Sequence, residues 1–267
     1  MGRTSYRRAP GRADRPAPGE QRAAGLGAPT LLARASSLPS RALAAWIVAL
    51  TGLTATIVPA MAGRPPLKPM AIWHMDHIRG GRMPDLSGKG NAGLVHNVGL
   101  APHGFHGRAY YFNGRTSGVV IPPAPSLNPG KAAFQMRVRV KLWVRPRKGH
   151  NYDLLRKGVS GARNGYYKLE ILHNGRPRCV FAGFRHTVLL SKGPNVVDGG
   201  WHTITCLKTS DMVRLETDKL HVQRTAQVGH IWNGAILTVG FRKDKTDRYK
   251  GLMDDLRIAR GPRGGGG

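Results

Sequence analysis

The clearest secondary-structure pattern in the chain is WHTITCLKTSDMVRLETD at residues 201–218. Apolar Ile204 and Cys206 alternate there with threonines, and after a short polar break Val213 and Leu215 alternate with charged residues. A period of two is expected where one face of a strand is buried and the other faces water. Two such runs joined by a short polar segment predict an antiparallel β-hairpin.

Similar short runs continue through most of the 267-residue chain and are separated by many of its 36 glycines and 19 prolines. Helical periodicity is almost absent, and the sequence has no internal repeat of the roughly 20 to 50 residues that solenoids and propellers show. The pattern therefore predicts one all-β domain, built as a sandwich of two antiparallel sheets.

The first 62 residues differ in composition from the rest. Residues 1–41 are rich in Arg, Ala, Gly and Pro without periodicity, and we predict them to be disordered. Residues 42–62 combine an apolar run with a basic flank and the motif AMA, which predicts a secretory signal peptide. A retained membrane anchor is the alternative, although the run is shorter than the roughly 20 residues of a spanning helix. We predict a linker at 63–70, the domain at 71–261 and a flexible glycine tail at 262–267.

The chain is strongly basic, with 42 Lys and Arg, 14 Asp and Glu, and a formal net charge of +28. Long-range attraction therefore favours anionic partners such as acidic polysaccharides or cell-wall polymers. An Arg-rich bias of the whole proteome is the alternative explanation. We predict no specific nucleic-acid partner, and membrane contact only through residues 42–61 if they are not cleaved.

A succession of short segments marks the predicted domain. It runs WHMD (73–76), DLSGKGNAG (85–93), GRAYYFNG (107–114), VVIPPAPSLNPG (119–130), LWVRP (142–146), LLRKG (154–158), GGWHTITCLKT (199–209), LTVGF (237–241) and GLMDDLRIARG (251–261). Their order and spacing resemble the laminin G-like, concanavalin A-like domains of secreted, actinobacterial-type bacterial proteins. The resemblance covers roughly residues 71–261. It implies a jelly-roll sandwich in which polysaccharides lie on the concave sheet.

Both cysteines of the chain, Cys179 and Cys206, follow the predicted export signal, and each belongs to a strand-like run. An exported protein meets an oxidising environment, in which such a pair forms a disulfide between two strands. Two buried free thiols are the alternative.

The sequence shows no pair of acidic residues placed to act together in catalysis. Glycoside hydrolases on this fold use two carboxylates on either side of the scissile bond. After the export signal the only glutamates are Glu170, whose same-face neighbours are Lys168 and Leu172, and Glu216, whose segment has His221 where a second acid belongs. We therefore predict no catalytic residues, with a hydrolase or lyase of the same fold as the alternative.

The resemblance also implies one structural calcium ion between the first and last strands. Carried over by position, its ligands are the carboxylate of Asp254, a carbonyl near Gly114 and the segment at Asp76, with water completing the six to eight oxygens that calcium requires. The alternative is an ion pair of Asp254 or Asp255 with Arg257 or a neighbouring lysine. We expect no other cofactor.

The segment FQMRVRVKLWVRP (134–146) predicts a ligand-binding face. Its alternation places apolar side chains inward, namely Met136, Val138, Val140, Leu142 and Val144. The same alternation places a basic strip with one aromatic ring outward, namely Arg137, Arg139, Lys141 and Trp143. Guanidinium groups and planar rings suit sugars that carry carboxylate or phosphate.

Two further segments are predicted to join this strip. Tyr166 and Lys168 in GYYKLEIL extend it, because Tyr167, Leu169 and Ile171 take the core side, and the Arg185-His186 turn contributes at the rim. A solvated basic face without a dedicated ligand is the alternative.

Together these patterns predict a secreted or cell-surface module that binds a glycan or an anionic wall polymer without catalysing a reaction. A hydrolase or lyase of the same fold and a surface module that binds protein are the alternative functions.

Overall fold

The computed structural model describes residues 66–244 and 246–262, and these residues form strands joined by turns and loops. A single short 3-10 helix, at Pro125–Leu127, lies among them. In chain order the strands are β1 (Lys68–Trp73), β2 (Arg82–Met83), β3 (Gly93–His96), β4 (Gly99–Ala101), β5 (Ala109–Asn113), β6 (Gly118–Ile121), β7 (Phe134–Lys141), β8 (Tyr152–Lys157), β9 (Tyr166–Ile171), β10 (Pro177–Ala182), β11 (Thr187–Leu190), β12 (Trp201–Lys208), β13 (Met212–Thr217), β14 (Leu220–Thr225), β15 (Leu237–Val239) and β16 (Lys250–Arg260).

The strands form two eight-stranded antiparallel sheets. Sheet A has the order β14-β13-β12-β7-β16-β5-β4, and β1 also pairs with β16. Sheet B has the order β11-β10-β9-β8-β15-β6-β3-β2. The two sheets pack their apolar faces together as a jelly-roll sandwich, which confirms the predicted fold class.

The predicted hairpin is formed by β12 and β13. Ile204 and Cys206 of β12 and Val213 and Leu215 of β13 are buried, as their alternation predicts. The polar break closes the turn, since the Thr209 N–H donates to the Met212 carbonyl at 2.8 Å.

The core lies between the sheets and contains several large aromatic side chains. Trp73, Tyr110, Phe112 and Tyr167 are among its fully buried members. The polar group of Trp73 is hydrogen-bonded inside the core, since the indole N–H donates to the Asn91 carbonyl at 2.9 Å. Full burial of the Phe112 side chain contributes roughly 1.5–3 kcal/mol to stability.

The two cysteines join the sheets. Cys179 lies on β10 of sheet B and Cys206 on β12 of sheet A, and they form a disulfide with a Cα–Cα distance of 5.9 Å. The predicted pairing is therefore confirmed, and the link crosses the core.

The predicted N-terminal disorder and signal peptide lie outside the described residues. The first strand begins at Lys68, so the last three residues of the segment predicted as a linker belong to β1. In the part of the chain that the structure describes, no helix has the length and apolar character that a membrane crossing requires.

Candidate functional site

The centre of sheet A carries the predicted basic strip. Strand β7 lies between β12 and β16 and alternates along its full length. Met136, Val138 and Val140 are fully buried, whereas Arg137 and Arg139 between them are only partly covered. The outward orientation predicted for the cations of this strand is therefore correct.

Beyond β7 the predicted alternation ends. The strand stops at Lys141; Leu142 is buried, but both Trp143 and Val144 are exposed, at 56% and 46%. Val144 was predicted to face the core, and that prediction is wrong. The reason is local: once the chain leaves the sheet, successive side chains no longer alternate between two faces.

Arg139 is held in place on both sides. One guanidinium nitrogen donates to Asp255 at 2.7 Å, and the guanidinium carbon lies 3.7 Å from the centre of the Phe105 ring. Phe105 also meets Trp201 edge to face, with 6.1 Å between the ring centres. Arg139 therefore positions an aromatic cluster and is itself largely shielded from solvent.

Lys141 and Trp143 complete this cluster. Lys141 pairs across the strands with Trp201, and its ammonium nitrogen lies 5.7 Å from the Trp143 ring. The Trp143 indole lies directly against Gly199, where a Cβ would come within 2.9 Å of two ring atoms. We call Phe105, Arg139, Lys141, Trp143 and Trp201 the β7 patch.

The basic strip is partly neutralised by Asp255, whose ion pair with Arg257 was the stated alternative to calcium binding and whose contact with Arg139 was not predicted. Asp255 accepts from Arg139, from Arg257 at 3.0 Å and from His74 at 2.9 Å. Burial alone raises the pKa of Asp255, but the surrounding cations outweigh it and the net pKa is lowered. The pKa of Arg137 is lowered by burial and by Arg139 and Arg257.

Two carboxylates predicted as calcium ligands hold the loop that carries Phe105. In the β4–β5 loop (residues 102–108), the Phe105 and His106 N–H groups donate to Asp254 at 2.8 and 3.0 Å. The Arg108 N–H donates to Asp76 at 2.8 Å. Burial raises the pKa of Asp254, although these backbone hydrogen bonds oppose the rise.

The predicted calcium ligands do not form one site. Gly114 follows the far end of β5 and packs against Lys250, which is four residues and about 13 Å along β16 from Asp254. The β4–β5 loop presents N–H donors to Asp76 and Asp254, whereas calcium requires oxygen ligands. Within residues 66–244 and 246–262 there is no group of three metal-binding side chains. This geometry does not fit the predicted ligand set, and calcium binding stays a prediction.

Tyr166 and Lys168 lie on the other side of the sandwich. They belong to β9, which pairs with β8 and β10 in sheet B, so they cannot extend a strip on sheet A. Both are outward-facing but buried, at 7% and 8% exposed. The predicted common strip is wrong because side-chain alternation assigns a face of a sheet but does not say which sheet a strand joins.

A buried charge network surrounds Lys168. Its ammonium group bonds Glu170 at 2.7 Å, and Arg178 bonds the other oxygen of the same carboxylate. One strand away, Asp153 bonds Arg156 at 2.6 Å. Burial lowers the pKa of Lys168, and the Glu170 carboxylate only partly restores it.

The sequence interpretation of Glu170 needs a correction. Asp153 on β8 pairs directly with Glu170 on β9, so this glutamate has a carboxylate neighbour across the strands. Burial raises the pKa of Asp153 to about 6, although the ion pair with Arg156 opposes the rise. Asp153 and Glu170 are both 0% exposed, so a glycosidic bond in solvent cannot reach either carboxylate.

The Arg185-His186 turn lies at an edge of sheet B. It connects β10 to β11, and Arg185 donates to the Gln227 side chain at 2.6 Å. Both backbone N–H groups bond the Val228 carbonyl. The turn therefore does not lie on the face of sheet A that carries the β7 patch.

Of the predicted ligand residues, only Arg137, Arg139, Lys141 and Trp143 lie together on the outer side of sheet A. Phe105 and Trp201 join them and were not predicted as ligand residues. Trp201 could have been found, since it begins the strand that β7 pairs with. Phe105 could not, because its loop is placed by contacts with residues far along the chain, among them Asp254 and Arg139.

Comparisons with known proteins agree with this architecture. Residues 110–264 match the family described as the concanavalin A-like lectin/glucanases superfamily. No curated protein sequence shows a significant match to the chain.

Several solved structures are similar in fold. The binding domain of Paraclostridial Mosquitocidal Protein 1 has a TM-score of 0.56 at 15% identity over 74% of this chain, which spans only 49% of that structure. Domain 4 of the arabinanase AbnA from Geobacillus stearothermophilus has a TM-score of 0.53 at 17% identity, with 73% of this chain and 93% of that one covered. The binding domain of Botulinum Neurotoxin DC has a TM-score of 0.52 at 11% identity, with 72% and 47% covered.

Proposed function

The chain belongs to the concanavalin A-like lectin/glucanases superfamily, and from this premise we propose that it is a non-catalytic carbohydrate-binding module. Its ligand would be a glycan or an anionic cell-wall polymer, held on the β7 patch. Two similar folds support the ligand class: AbnA domain 4 was solved with arabinotriose, and the Botulinum Neurotoxin DC binding domain with SialylT.

The observation that carries the proposal is the combination of exposed rings with a fixed framework. Trp143 is 56% exposed and Phe105 40%, and Lys141 lies beside them. Their positions are set by the central strands of sheet A and by the carboxylate-anchored β4–β5 loop. Rings that need little ordering on binding are the residues that contribute most to recognition.

Charge decides which glycans suit the patch. Arg139 is engaged by Asp255 and Phe105, whereas the Lys141 ammonium group lies over the Trp143 ring and forms no ion pair among the described residues. We therefore expect the rings to supply most of the affinity and Lys141 to add a preference for anionic polymers.

The disulfide supports a module that works outside the cell. A bond between Cys179 and Cys206 persists in an oxidising compartment, in line with the predicted secretion. We propose a secreted or cell-surface location.

The proposal is tested with the full-length chain on a glycan array, followed by titration of the best neutral and anionic glycans. We expect Trp143→Ala to weaken binding at least tenfold, which corresponds to about 1.4 kcal/mol. Phe184→Ala is the matched control, because Phe184 is 83% exposed on the β10–β11 turn, away from the patch. An affinity unchanged in Trp143→Ala, or lost equally in both variants, would refute the β7 patch as the site.

Lys141→Gln separates the two ligand classes. We expect this variant to bind the anionic glycan more weakly and with a smaller salt dependence, while its affinity for a neutral glycan is unchanged. Release of reducing sugar by the wild-type chain would contradict the non-catalytic role.

A further inference from the structure

A cleft lies at one end of the sandwich, where the β7–β8 loop that borders it also carries Trp143 of the β7 patch. It has a volume of about 470 Å³ and lies between the β5–β6 turn (residues 114–117), the β7–β8 loop (142–151), residues 246–248 of the β15–β16 loop, and Lys250, the first residue of β16. Its walls carry five cations and one carboxylate, namely Arg115, Arg145, Arg147, Arg248, Lys250 and Asp247. We call this surface the loop cleft.

The single acid of the loop cleft is used to hold its walls together. The Asp247 carboxylate accepts the Asn151 N–H at 3.2 Å and lies 3.7 Å from His150. Its backbone carbonyl accepts the Asp153 N–H at 2.9 Å. Asp247 therefore joins the β15–β16 loop to the β7–β8 loop, and its side chain is only 12% exposed.

Most of the cations lack an acidic partner. In the described part of the chain, no carboxylate forms an ion pair with Arg115, Arg145, Arg147 or Lys250. This differs from sheet B and from the β7 patch, where arginines meet carboxylates. Like charges gathered around one cleft repel one another, so an anion bound there relieves an existing cost.

The walls are also fixed in position. Arg248 donates to the Ser117 carbonyl at 3.3 Å, and its guanidinium lies 5.4 Å from the centre of the Phe241 ring. Gly114 adopts a left-handed conformation with a φ of 73°, and a Cβ at this position would come within 2.9 Å of Lys250. The Tyr152 hydroxyl donates to the Arg145 carbonyl at 3.3 Å.

We propose that the loop cleft binds a multiply charged oxyanion group, a phosphomonoester or a pyrophosphate. The excess of four positive charges over negative ones matches a group with two or more negative charges better than a carboxylate with one. Guanidinium groups bind phosphate through paired N–H donors, and the volume admits the group with part of its carrier. The site goes beyond the proposed glycan binding and does not depend on it.

Inorganic pyrophosphate is the first probe, titrated calorimetrically into the full-length chain at constant ionic strength. We expect pyrophosphate to bind more tightly than sulfate and sulfate more tightly than acetate. A sugar 1-phosphate and free phosphate then distinguish a glycan-borne phosphate from a soluble one, since only the former gains affinity from its carrier. Equal affinities for acetate and pyrophosphate would overturn the proposal.

Matched variants locate the site. We expect Arg145→Gln with Arg147→Gln to weaken pyrophosphate binding at least tenfold, whereas Arg163→Gln, in the exposed β8–β9 loop, changes it less than twofold. Equal losses per charge removed would show diffuse attraction by the whole chain and overturn the proposal. If the double variant does not fold, the wild-type chain is titrated instead, and the arginine side-chain N–H signals are followed by NMR. If none of these signals shifts, the result counts against the site.

The two proposed sites are separated by the same variants. Trp143→Ala should leave pyrophosphate affinity unchanged, and the double arginine variant should leave neutral-glycan affinity unchanged. Failure of either proposal therefore leaves the other intact.

Discussion

The outer faces of the two sheets carry the same kinds of charged residue, but those on β8 and β9 at the centre of sheet B are buried, whereas those on β7 of sheet A are partly exposed. On sheet A, Arg137 and Lys141 are partly exposed beside accessible rings. On sheet B, Glu170 is 0% exposed and Lys168 8%. Loop residues including Val159 and Ala235 line a cavity of about 150 Å³ together with Arg156 of β8 and Thr238 of β15.

This difference separates two uses of charge. Where loops exclude water, each charge needs a partner, because an unpaired buried ion is costly. Where water remains, cations can face a ligand, and rings beside them can contact it. The buried charges on β8 and β9 therefore have a structural role, whereas the partly exposed centre of sheet A is suited to recognition.

The largest expected effect is a difference in the free energy of unfolding between two single variants, each of which lacks one glutamate on the outer face of a different sheet. Glu170→Ala leaves Lys168 and Arg178 without their shared carboxylate, and we expect it to lower the free energy of unfolding by about 3–5 kcal/mol. Glu216→Ala removes a partly exposed carboxylate 3.7 Å from Arg214 and should cost less than about 1 kcal/mol. Chemical denaturation measures both, and equal losses would remove the distinction between the faces.

An intermediate effect is expected from the loop that brings Phe105 to sheet A. Asp254→Ala leaves the Phe105 and His106 N–H groups without an acceptor, and we expect a loss of about 1–3 kcal/mol in the free energy of unfolding. Asp254→Asn keeps an oxygen acceptor and should lose less. Thermal and chemical unfolding of the two variants test this order, and a greater loss in the asparagine variant would contradict it.

Comparison of the wild type with Asp254→Ala also tests the calcium prediction. Because N–H donors already engage Asp254, we expect a chelator to leave the wild-type melting temperature unchanged. A melting temperature that rises with calcium in the wild type but not in Asp254→Ala would instead support calcium binding at this position.

The smallest effect concerns the pH dependence of sheet A. His202 bonds Asp198 at 2.9 Å and Asp218 at 2.8 Å. Burial lowers the pKa of His202, but these hydrogen bonds outweigh it and raise the net pKa above 6.5. The stabilisation is therefore complete below pH 6.5 and is lost as the pH rises through the folded-state pKa. It should be below about 1 kcal/mol, because both carboxylates are largely exposed.

Unfolding curves of the wild type and His202→Gln over a range of about one unit on either side of the usual histidine pKa of about 6.5 check this prediction. His202→Gln should lose the decrease in stability that the wild type shows over this range. Buried Asp153, with a pKa of about 6, and buried Lys157 and Lys208, with pKa values of about 8, also titrate near this range. The difference between the two proteins is therefore the readout, and an equal pH dependence in both would contradict the assignment to His202.

Local alternation predicted the strands well and their surroundings less well. It placed Ile204 and Met136 inward and Arg139 outward, as the structure shows. It was wrong for Val144, which lies beyond the end of β7. It was also wrong about the face shared with Tyr166, since hydrogen bonding to β8 and β10, which no local pattern encodes, decides the sheet.

The sequence by itself determined the all-β class, the inward and outward sides of β7 and the disulfide, because these follow from side-chain periodicity and from the chemistry of two cysteines. The tertiary structure alone decided which charges meet. Asp255 reaches Arg139, Asp153 faces Glu170, and arginines from three loops line one cleft. The physical reason is that alternation fixes a direction for each side chain, whereas pairing and burial depend on which distant strand or loop lies opposite.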